Sequence, residues 1–391
     1  MKVEPVAGVQ PMLMKWARQS LGLSVAEVAT RLKRSIDEVK AWESGSSAPT
    51  YPQLEKLAYE IYKRPLAVFF LPSPPEEAIP KREFRSLPIA DLQTLLPDTH
   101  LRIRHAHAYQ LALKELFDNR NPAEALIWGH ITLKLDIAVD GQAHAVREAL
   151  GISLDAQIRW KNEDSALKQW RQAIEDAGIF VFKNAFKQKE ISGFCLQDRE
   201  FPLIYLNNST TKTRQIFSLL HELAHLLLNE NGLSKFDKSY ISQLLPAERR
   251  IEQFCNAIAA EILIPAVDFE QQSRDWPHNM DDSDEQPFDL LANRYSVSRE
   301  VILRRFLDLN RVSQYRYNQL AKQWNEQQKK SSGGGDWYST QQTYISRRFA
   351  QEVVSRYYRQ QLSIEQASDL LGIKAKNFAG LEACVLKGAT A

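Results

Sequence analysis

The stretch His221-Glu222-Leu223-Ala224-His225 carries the strongest structural and chemical signal in the chain. Two histidines four residues apart project from one face of a helix, where both imidazoles can hold the same metal ion. The glutamate between them is placed to accept a proton from a water molecule that the metal activates. This spacing is typical of zinc hydrolases, and usually of peptidases.

The residues around the motif predict a buried helix. Its apolar positions are Ile216, Phe217, Leu219, Leu220, Leu223, Leu226 and Leu227, and the first glycine after them is Gly232. Buried imidazoles and carboxylates are costly unless they are paired or bind a metal. The alternative is a pair of hydrogen-bonded core histidines beside an incidental glutamate, and the His-Glu-x-x-His spacing favours the metal site over it.

A catalytic zinc ion needs a third protein ligand and one open position. A third histidine in the extended form of the motif is absent, because Leu228 and Asn231 stand at its glycine and histidine positions, and no cysteine lies nearby. We therefore expect a carboxylate. The candidates are Glu230, Glu248, Glu252 and Glu261. The helical wheel leaves the choice open, since the last three all flank the apolar stripe of the next helix.

The bulk composition indicates a soluble protein of two or three domains. The chain has 391 residues, of which 44% are hydrophobic and 25% charged, and its net charge is +2. Its three cysteines lie far apart, which suits a reducing compartment. Because the N-terminus lacks the apolar core of a signal peptide and no apolar run reaches membrane-spanning length, we expect a cytoplasmic protein without membrane contact.

The pattern along the chain predicts a mainly α-helical protein with a small β-sheet (α+β). Strands are expected at 178–182, 191–196 and 202–206, where apolar runs are separated by polar turns. The predicted domains are a helical module at 1–72, a linker at 73–98, a helical region with a metal-binding domain at 99–280 (core about 170–270), helices at 281–327, a flexible linker at 328–336 and a helical tail at 337–391. No internal repeat is evident.

The N-terminal module has the pattern of a helix-turn-helix. Ser24 and Ser35 each begin a capping box, and Gly45 ends the second helix. The run from Leu23 through Gly45 to Ala58 resembles the Cro/C1-type DNA-binding domain over residues 12–67, which implies five helices and binding to an operator.

DNA contacts are expected at the start of the second helix of this motif and in the turn before it. The candidates are Arg31, Lys33, Arg34, Ser35, Asp37, Glu38 and Lys40. The basic residues among them can hold phosphates, whereas the two acidic residues oppose the phosphate field. The alternative is a module that binds a partner protein or forms a homodimer.

A second motif allows the metal site to be compared with a known family. The run from Glu252 to Pro265, EQFCNAIAAEILIP, follows the FSLLHELAH run that ends at His225. Together they resemble the zincin-like ImmA/IrrE metallopeptidase family over roughly residues 170–270. The resemblance implies a Zn²⁺ ion held by His221, His225 and Glu252. Cys255 and Ile258 depart from the family pattern, and neither departure is expected to affect a ligand.

The function implied is a zinc metallopeptidase, with Glu222 as the general base, that is also a transcriptional regulator. Its expected partners are operator DNA and a repressor or toxin-system protein that it cleaves, a strand of which could pair with the edge of the sheet. The alternative is a non-catalytic DNA-binding antitoxin that uses the peptidase fold to bind its partner. Candidates for stabilising the oxyanion are Tyr205, Asn207 and His278.

Two further segments, 292–306 and 362–373, have the pattern of short-helix pairs with a serine cap. They fit small sensor or docking elements, but helical packing against the metal-binding domain is the favoured interpretation of both.

Overall fold

The structure, a computed structural model, describes residues 4–75, 84, 87–88, 91–92, 94–235, 238–281, 284–328 and 337–389. The chain forms two compact units, residues 1–107 with 186–189, and residues 108–185 with 190–391. Residues 329–336 of the predicted flexible linker lie outside the described residues. The finer domain boundaries stay predictions.

The first unit begins with a cluster of short helices. They are α1 (Pro11–Gln19), α2 (Val25–Leu32), α3 (Ile36–Ser44) and α4 (Tyr51–Glu55), which continues as a π-helical turn (Lys56–Ile61), followed by a 3₁₀ helix (Leu66–Phe70). The Ser24 hydroxyl accepts from the Glu27 amide at 3.2 Å and starts α2. Lys33 then adopts a left-handed conformation with φ 58° and turns the chain into α3. Val28, Val39 and Trp42 are buried in the core that these helices share.

The remaining α-helices follow in chain order. They are α5 (Pro97–Leu116), which includes the boundary between the units, α6 (Val139–Ala149), α7 (Leu154–Ile158), α8 (Glu163–Asp176), α9 (Lys212–Leu227), α10 (Pro246–Leu263), α11 (Ala266–Gln272), α12 (Gln286–Tyr295), α13 (Arg299–Asp308), α14 (Gln314–Gln328), α15 (Trp337–Tyr344), α16 (Arg347–Tyr358), α17 (Ile364–Leu370) and α18 (Phe378–Ala389). Within the part of the chain that the structure describes, no helix is both long and apolar enough to cross a membrane.

The second unit contains one small mixed sheet, so the predicted fold class is confirmed. Its strands are β1 (Phe180–Asn184), β2 (Ile191–Leu196), β3 (Leu203–Asn207) and β4 (Leu233–Lys235), in the order β1-β3-β2-β4. β3 runs parallel to β1 and antiparallel to β2, and β4 runs antiparallel to β2. The three predicted strands are present within two residues of their expected limits, and β4 was not predicted.

Helices α9 and α10 pack together on one face of the sheet. Ile204 and Leu206 point from β3 into the same core as Leu220 and Leu223 of α9 and Ile258 of α10. Because side chains alternate along a strand, Tyr205 and Asn207 of β3 lie on the opposite face. This alternation decides which residues of the sheet can reach the metal-binding motif.

The tail is attached to the second unit through backbone hydrogen bonds. Arg171 of α8 donates to the carbonyl oxygen of Ile345 and, at 2.7 Å, to that of Val181 in β1. The Glu175 carboxylate lies 3.3 Å from Arg171 and accepts from the Arg347 amide at 3.2 Å. These contacts attach residues 345–347 to the second unit, whereas the expected packing of segment 362–373 stays a prediction.

Candidate metal centre

Helix α9 holds three polar side chains of the motif in the interior of the second unit. The helix starts at Thr211, whose hydroxyl accepts from the Arg214 amide at 3.4 Å. Apolar residues cover most of its circumference, as expected of a helix that is buried on several sides. His221, Glu222 and His225 are only 4%, 0% and 1% exposed. The sequence therefore places ionisable groups where water does not reach them.

Glu252 of α10 meets both histidines. One carboxylate oxygen lies 3.0 Å from Nε2 of His225, and the other lies 3.4 Å from Nε2 of His221. The two Nε2 atoms are 3.1 Å apart. Four ligand atoms around zinc, at about 2.0–2.1 Å each, lie roughly 3.3 Å from one another in a tetrahedron. The donor types and their spacing therefore fit a zinc ion.

The other carboxylates proposed for the third position lie elsewhere. Glu230 is exposed. Glu248 accepts from the Leu245 amide at 3.4 Å and caps α10. Glu261 forms an ion pair with Arg305 and accepts from the Ala266 amide at 2.8 Å. Among the described residues, the one group of three side chains with metal-ligand geometry is His221, His225 and Glu252.

The hydroxyl of Tyr240 supports Glu252. It donates to the Glu252 carboxylate at 2.8 Å from the 3₁₀ helix Lys238–Gln243. Burial and the negative charge of Glu252 both raise the pKa of Tyr240 well above its ordinary value, so the phenol stays protonated and acts as a donor. The sequence does not point to this residue, since it stands in a polar stretch without helical periodicity or a motif.

The charges of the cluster offset one another in the absence of metal. Burial alone would raise the pKa of Glu252, but the neighbouring imidazoles of His225 and His221 lower it more. Burial lowers the pKa of His225, whereas Cys255 and Glu252 raise it, and the net shift is upward. Cys255 thus lies near His225, but it is not one of the side chains with metal-ligand geometry.

Glu222 has the environment of a general base that lacks a partner. Neither of its carboxylate oxygens has a hydrogen-bond partner among the described residues, and the side chain is fully buried. Nδ1 of both His221 and His225 is likewise without such a partner. Buried polar atoms are normally satisfied, so this concentration of unsatisfied atoms points to a missing ion and water.

The three residues proposed to stabilise an oxyanion do not join the cluster. Tyr205 stacks on Phe194 with ring centroids 5.2 Å apart, on the face of the sheet away from α9. The Asn207 amide on the same face donates to the Ile191 carbonyl oxygen at 2.7 Å. His278 is exposed in a loop. Tyr205 and Asn207 therefore lie on the face of the sheet away from α9, which a sequence pattern does not show, whereas the proposal for His278 stays a prediction.

The predicted DNA-contacting residues lie together around the turn between α2 and α3. Those with exposed side chains are Arg31, Lys33, Arg34, Ser35, Asp37 and Lys40. The Ser35 hydroxyl, although exposed, accepts from the Glu38 amide at 3.1 Å and caps α3. The Glu38 carboxylate accepts from the Gln53 amide nitrogen at 3.1 Å. Two of the seven side chains, Ser35 and Glu38, thus already make hydrogen bonds within the module.

Residues 174–307 match the family model of the IrrE N-terminal-like domain, peptidase family M78. The match contains the whole sheet, the His221–His225 motif and Glu252, and it supports the resemblance to the ImmA/IrrE family. It continues beyond residue 270 to include α12 and most of α13. The predicted helix-turn-helix module at residues 12–67 and the tail lie outside it. A comparison with curated proteins finds no match.

Gly232 lies against Glu222 and His225 and gives a first test. A Cβ added there would lie 2.6 Å from Oε2 of Glu222 and 2.7 Å from Cδ2 of His225. We expect Gly232→Ala to lower the melting temperature and weaken zinc binding, with an overpacking penalty of about 1–3 kcal/mol. Thermal unfolding and zinc titration measure both effects.

Gly141→Ala is the matched control, because an added Cβ in α6 meets nothing within 4 Å. It should leave zinc affinity unchanged. Equal melting temperatures and zinc affinities for the two variants would contradict the close approach at Gly232.

The contribution of Tyr240 can be measured with Tyr240→Phe, which removes only the hydroxyl. Since a hydrogen bond to a ligand carboxylate fixes its orientation, we expect zinc affinity to fall about 10- to 100-fold. Competition with a chromophoric chelator gives the affinity. Tyr315→Phe removes a hydroxyl from a side chain that is 79% exposed and should change nothing. An unaltered affinity for Tyr240→Phe would show that Glu252 does not need this donor.

Proposed function

We propose that this protein is a zinc-dependent metallo-endopeptidase that also binds DNA as a transcriptional regulator. The observation that carries the peptidase half is the buried group of His221, His225 and Glu252 beside an unpaired Glu222. The family match over these residues supports the same interpretation. The proposed substrate class is a repressor or toxin-system protein.

His221, His225 and Glu252 would hold the zinc ion, and Tyr240 would keep Glu252 in place. When bound, zinc lowers the pKa of a water molecule to about 7 and polarises a carbonyl group. Glu222 would accept a proton from the attacking water and pass it to the leaving amine. Glu222 is buried, and neither carboxylate oxygen has a hydrogen-bond partner among the described residues, so both are available to a water molecule.

The edge strand β4 is the proposed platform for an extended substrate. It is the last strand in the sheet order, and Gly232 directly before it lies against Glu222 and His225. Both edges already have some backbone contacts, since Arg171 binds the Val181 carbonyl oxygen of β1 and the Lys235 backbone of β4 hydrogen-bonds Tyr240. A peptide that adds to β4 would gain backbone hydrogen bonds and run close to the zinc site.

One observation favours the second candidate, a regulator that binds its partner without cleaving it. The four side chains of the centre are between 0% and 4% exposed, so a substrate can reach them only after the surrounding chain moves. Latent activity and a purely binding role both agree with this burial. The two candidates differ in turnover.

Glu222→Gln separates them. It keeps the size of the side chain and should retain stoichiometric zinc, but it should lower cleavage about 10²- to 10⁴-fold because the base is removed. Zinc analysis and cleavage of the purified product of the neighbouring gene provide the readouts. Glu230→Gln changes an exposed carboxylate and serves as the control.

Normal cleavage by Glu222→Gln would refute the general-base role. Tight binding of the partner without cleavage, by the unmodified protein loaded with zinc, would establish the non-catalytic regulator instead.

The DNA-binding half rests on the surface of α2 and α3. Lys33→Glu with Arg34→Glu should weaken binding to the DNA upstream of the gene by about tenfold or more and reduce its salt dependence, because two cations no longer neutralise phosphates. Fluorescence anisotropy at several salt concentrations measures both. Lys161→Glu with Lys168→Glu makes the same change in net charge at two exposed positions of the second unit and is the control. If the two double variants bind alike, the N-terminal module does not contact DNA.

A further inference from the structure

Three segments of the chain, two of which the sequence indicated as short-helix pairs, share a backbone pattern that also recurs at other helix junctions, such as those at Gly22, Gly151 and Asn310. Each is a helix followed by a residue in the left-handed conformation and then a second helix. The left-handed residues are Lys33 with φ 58°, Ser296 with φ 55° and Gly372 with φ 65°. They lie between α2 and α3, between α12 and α13, and between α17 and a 3₁₀ turn (Ala375–Asn377) that leads into α18.

The buried positions of the three segments fall in the same register. Counted from the left-handed residue, positions −5, −4, −1 and +6 are buried in all three. These residues are Val28, Ala29, Leu32 and Val39 in the first, Leu291, Ala292, Tyr295 and Ile302 in the second, and Ala367, Ser368, Leu371 and Phe378 in the third. The same positions are buried around Gly151 between α6 and α7, so this register is required of a helix-turn-helix but is not specific to it.

The tail segment matches the N-terminal one further. Position +9 is buried in both, as Trp42 and as Leu381. Position −9 is a serine in both, and Ser24 and Ser363 each form a complete capping box. The tail is therefore built as a second helix-turn-helix of the same type as α2 and α3, with α18 in the place of α3.

The surfaces of the three motifs differ where a recognition helix begins. At positions +2 to +8 the N-terminal motif carries two acidic residues, Asp37 and Glu38, and one basic residue, Lys40. In the central motif Arg299 pairs with Glu285 at 3.2 Å, and Glu300 pairs with Arg214 at 3.1 Å. Charges at the central surface are thus already neutralised within the fold.

The tail motif carries only basic, amide and small side chains at its recognition positions that face solvent. Lys374, Ala375, Lys376 and Ala379 are exposed, and Asn377 is partly exposed. Lysines can hold phosphates, asparagine can bind an adenine edge, and alanines allow the helix to enter the major groove closely. A partner protein would instead be expected to meet large apolar side chains.

Within the part of the chain that the structure describes, the hydrogen bonds and ion pairs that attach the tail involve residues other than Lys374, Lys376 and Asn377, although Gly372 in the turn lies beside Tyr109. The residues that fix the tail to the second unit come from α16 and the chain before it, through the Arg347 amide, the Ile345 carbonyl oxygen and the Arg356 guanidinium, which donates to the Leu116 carbonyl oxygen. We propose that the tail is a second double-stranded DNA-binding site, with Lys374 and Lys376 on the phosphates and Asn377 at the bases. This site depends neither on peptidase activity nor on DNA binding by α2 and α3.

The test uses the full chain and a 30-base-pair duplex of random sequence, followed by fluorescence anisotropy over a range of salt concentrations. Lys374→Glu with Lys376→Glu should raise Kd about tenfold or more and reduce the salt slope by about 2, since each lysine neutralises one phosphate. Lys161→Glu with Lys168→Glu carries the same charge change and should have a much smaller effect. Circular dichroism and zinc content confirm that each variant is folded.

Comparison with Lys33→Glu/Arg34→Glu separates the two motifs. If both sites bind DNA, a variant that combines the N-terminal and tail substitutions should bind more weakly than either double variant. A tail variant that binds like the Lys161/Lys168 control would overturn the tail site, whatever the N-terminal variant shows. Absence of duplex binding by the unmodified chain at low salt would overturn it as well.

Discussion

The packing of α9 against α10 is the constraint on which the rest of the site depends. It places a carboxylate from one helix between two imidazoles from the other, in an interior where unpaired charges are strongly disfavoured. The charge of Glu252 offsets that of the histidines. The Tyr240 hydroxyl donates a hydrogen bond to one carboxylate oxygen of Glu252. Removing one member would leave the others buried without compensation, so the four groups form a unit.

The backbone that follows α9 also lies very close to the His221–His225 motif. The chain after α9 returns as β4 and completes the sheet, which brings Gly232 against Glu222 and His225. A residue with a side chain at position 232 would displace Glu222 or His225. The sheet edge therefore lies next to the candidate metal site, and a peptide that added to β4 would lie near Glu222 and His225.

The sequence predicted the elements of the site better than their contacts. The periodicity of residues 216–227 and the proline limits of 246–265 define α9 and α10 closely, because both signals are local. Glu252 could not be chosen from the wheel, since the choice depends on how two helices cross. It followed from the family resemblance alone. Tyr240 and β4 were missed because a 3₁₀ turn and a three-residue edge strand have no periodicity to detect.

The three helix pairs at Lys33, Ser296 and Gly372 also show how little of a tertiary arrangement can be predicted from sequence. Their shared register is carried by a few buried positions of different chemistry, such as Val28, Leu291 and Ala367, which a comparison of residue types does not align. The common backbone fixes how the helices pack, whereas the exposed residues at the start of the second helix decide what it can bind. Asp37 and Glu38 in one motif and Lys374 and Lys376 in another stand at this surface. A motif recognised by its backbone thus acquires its binding preference from residues that contribute little to its stability.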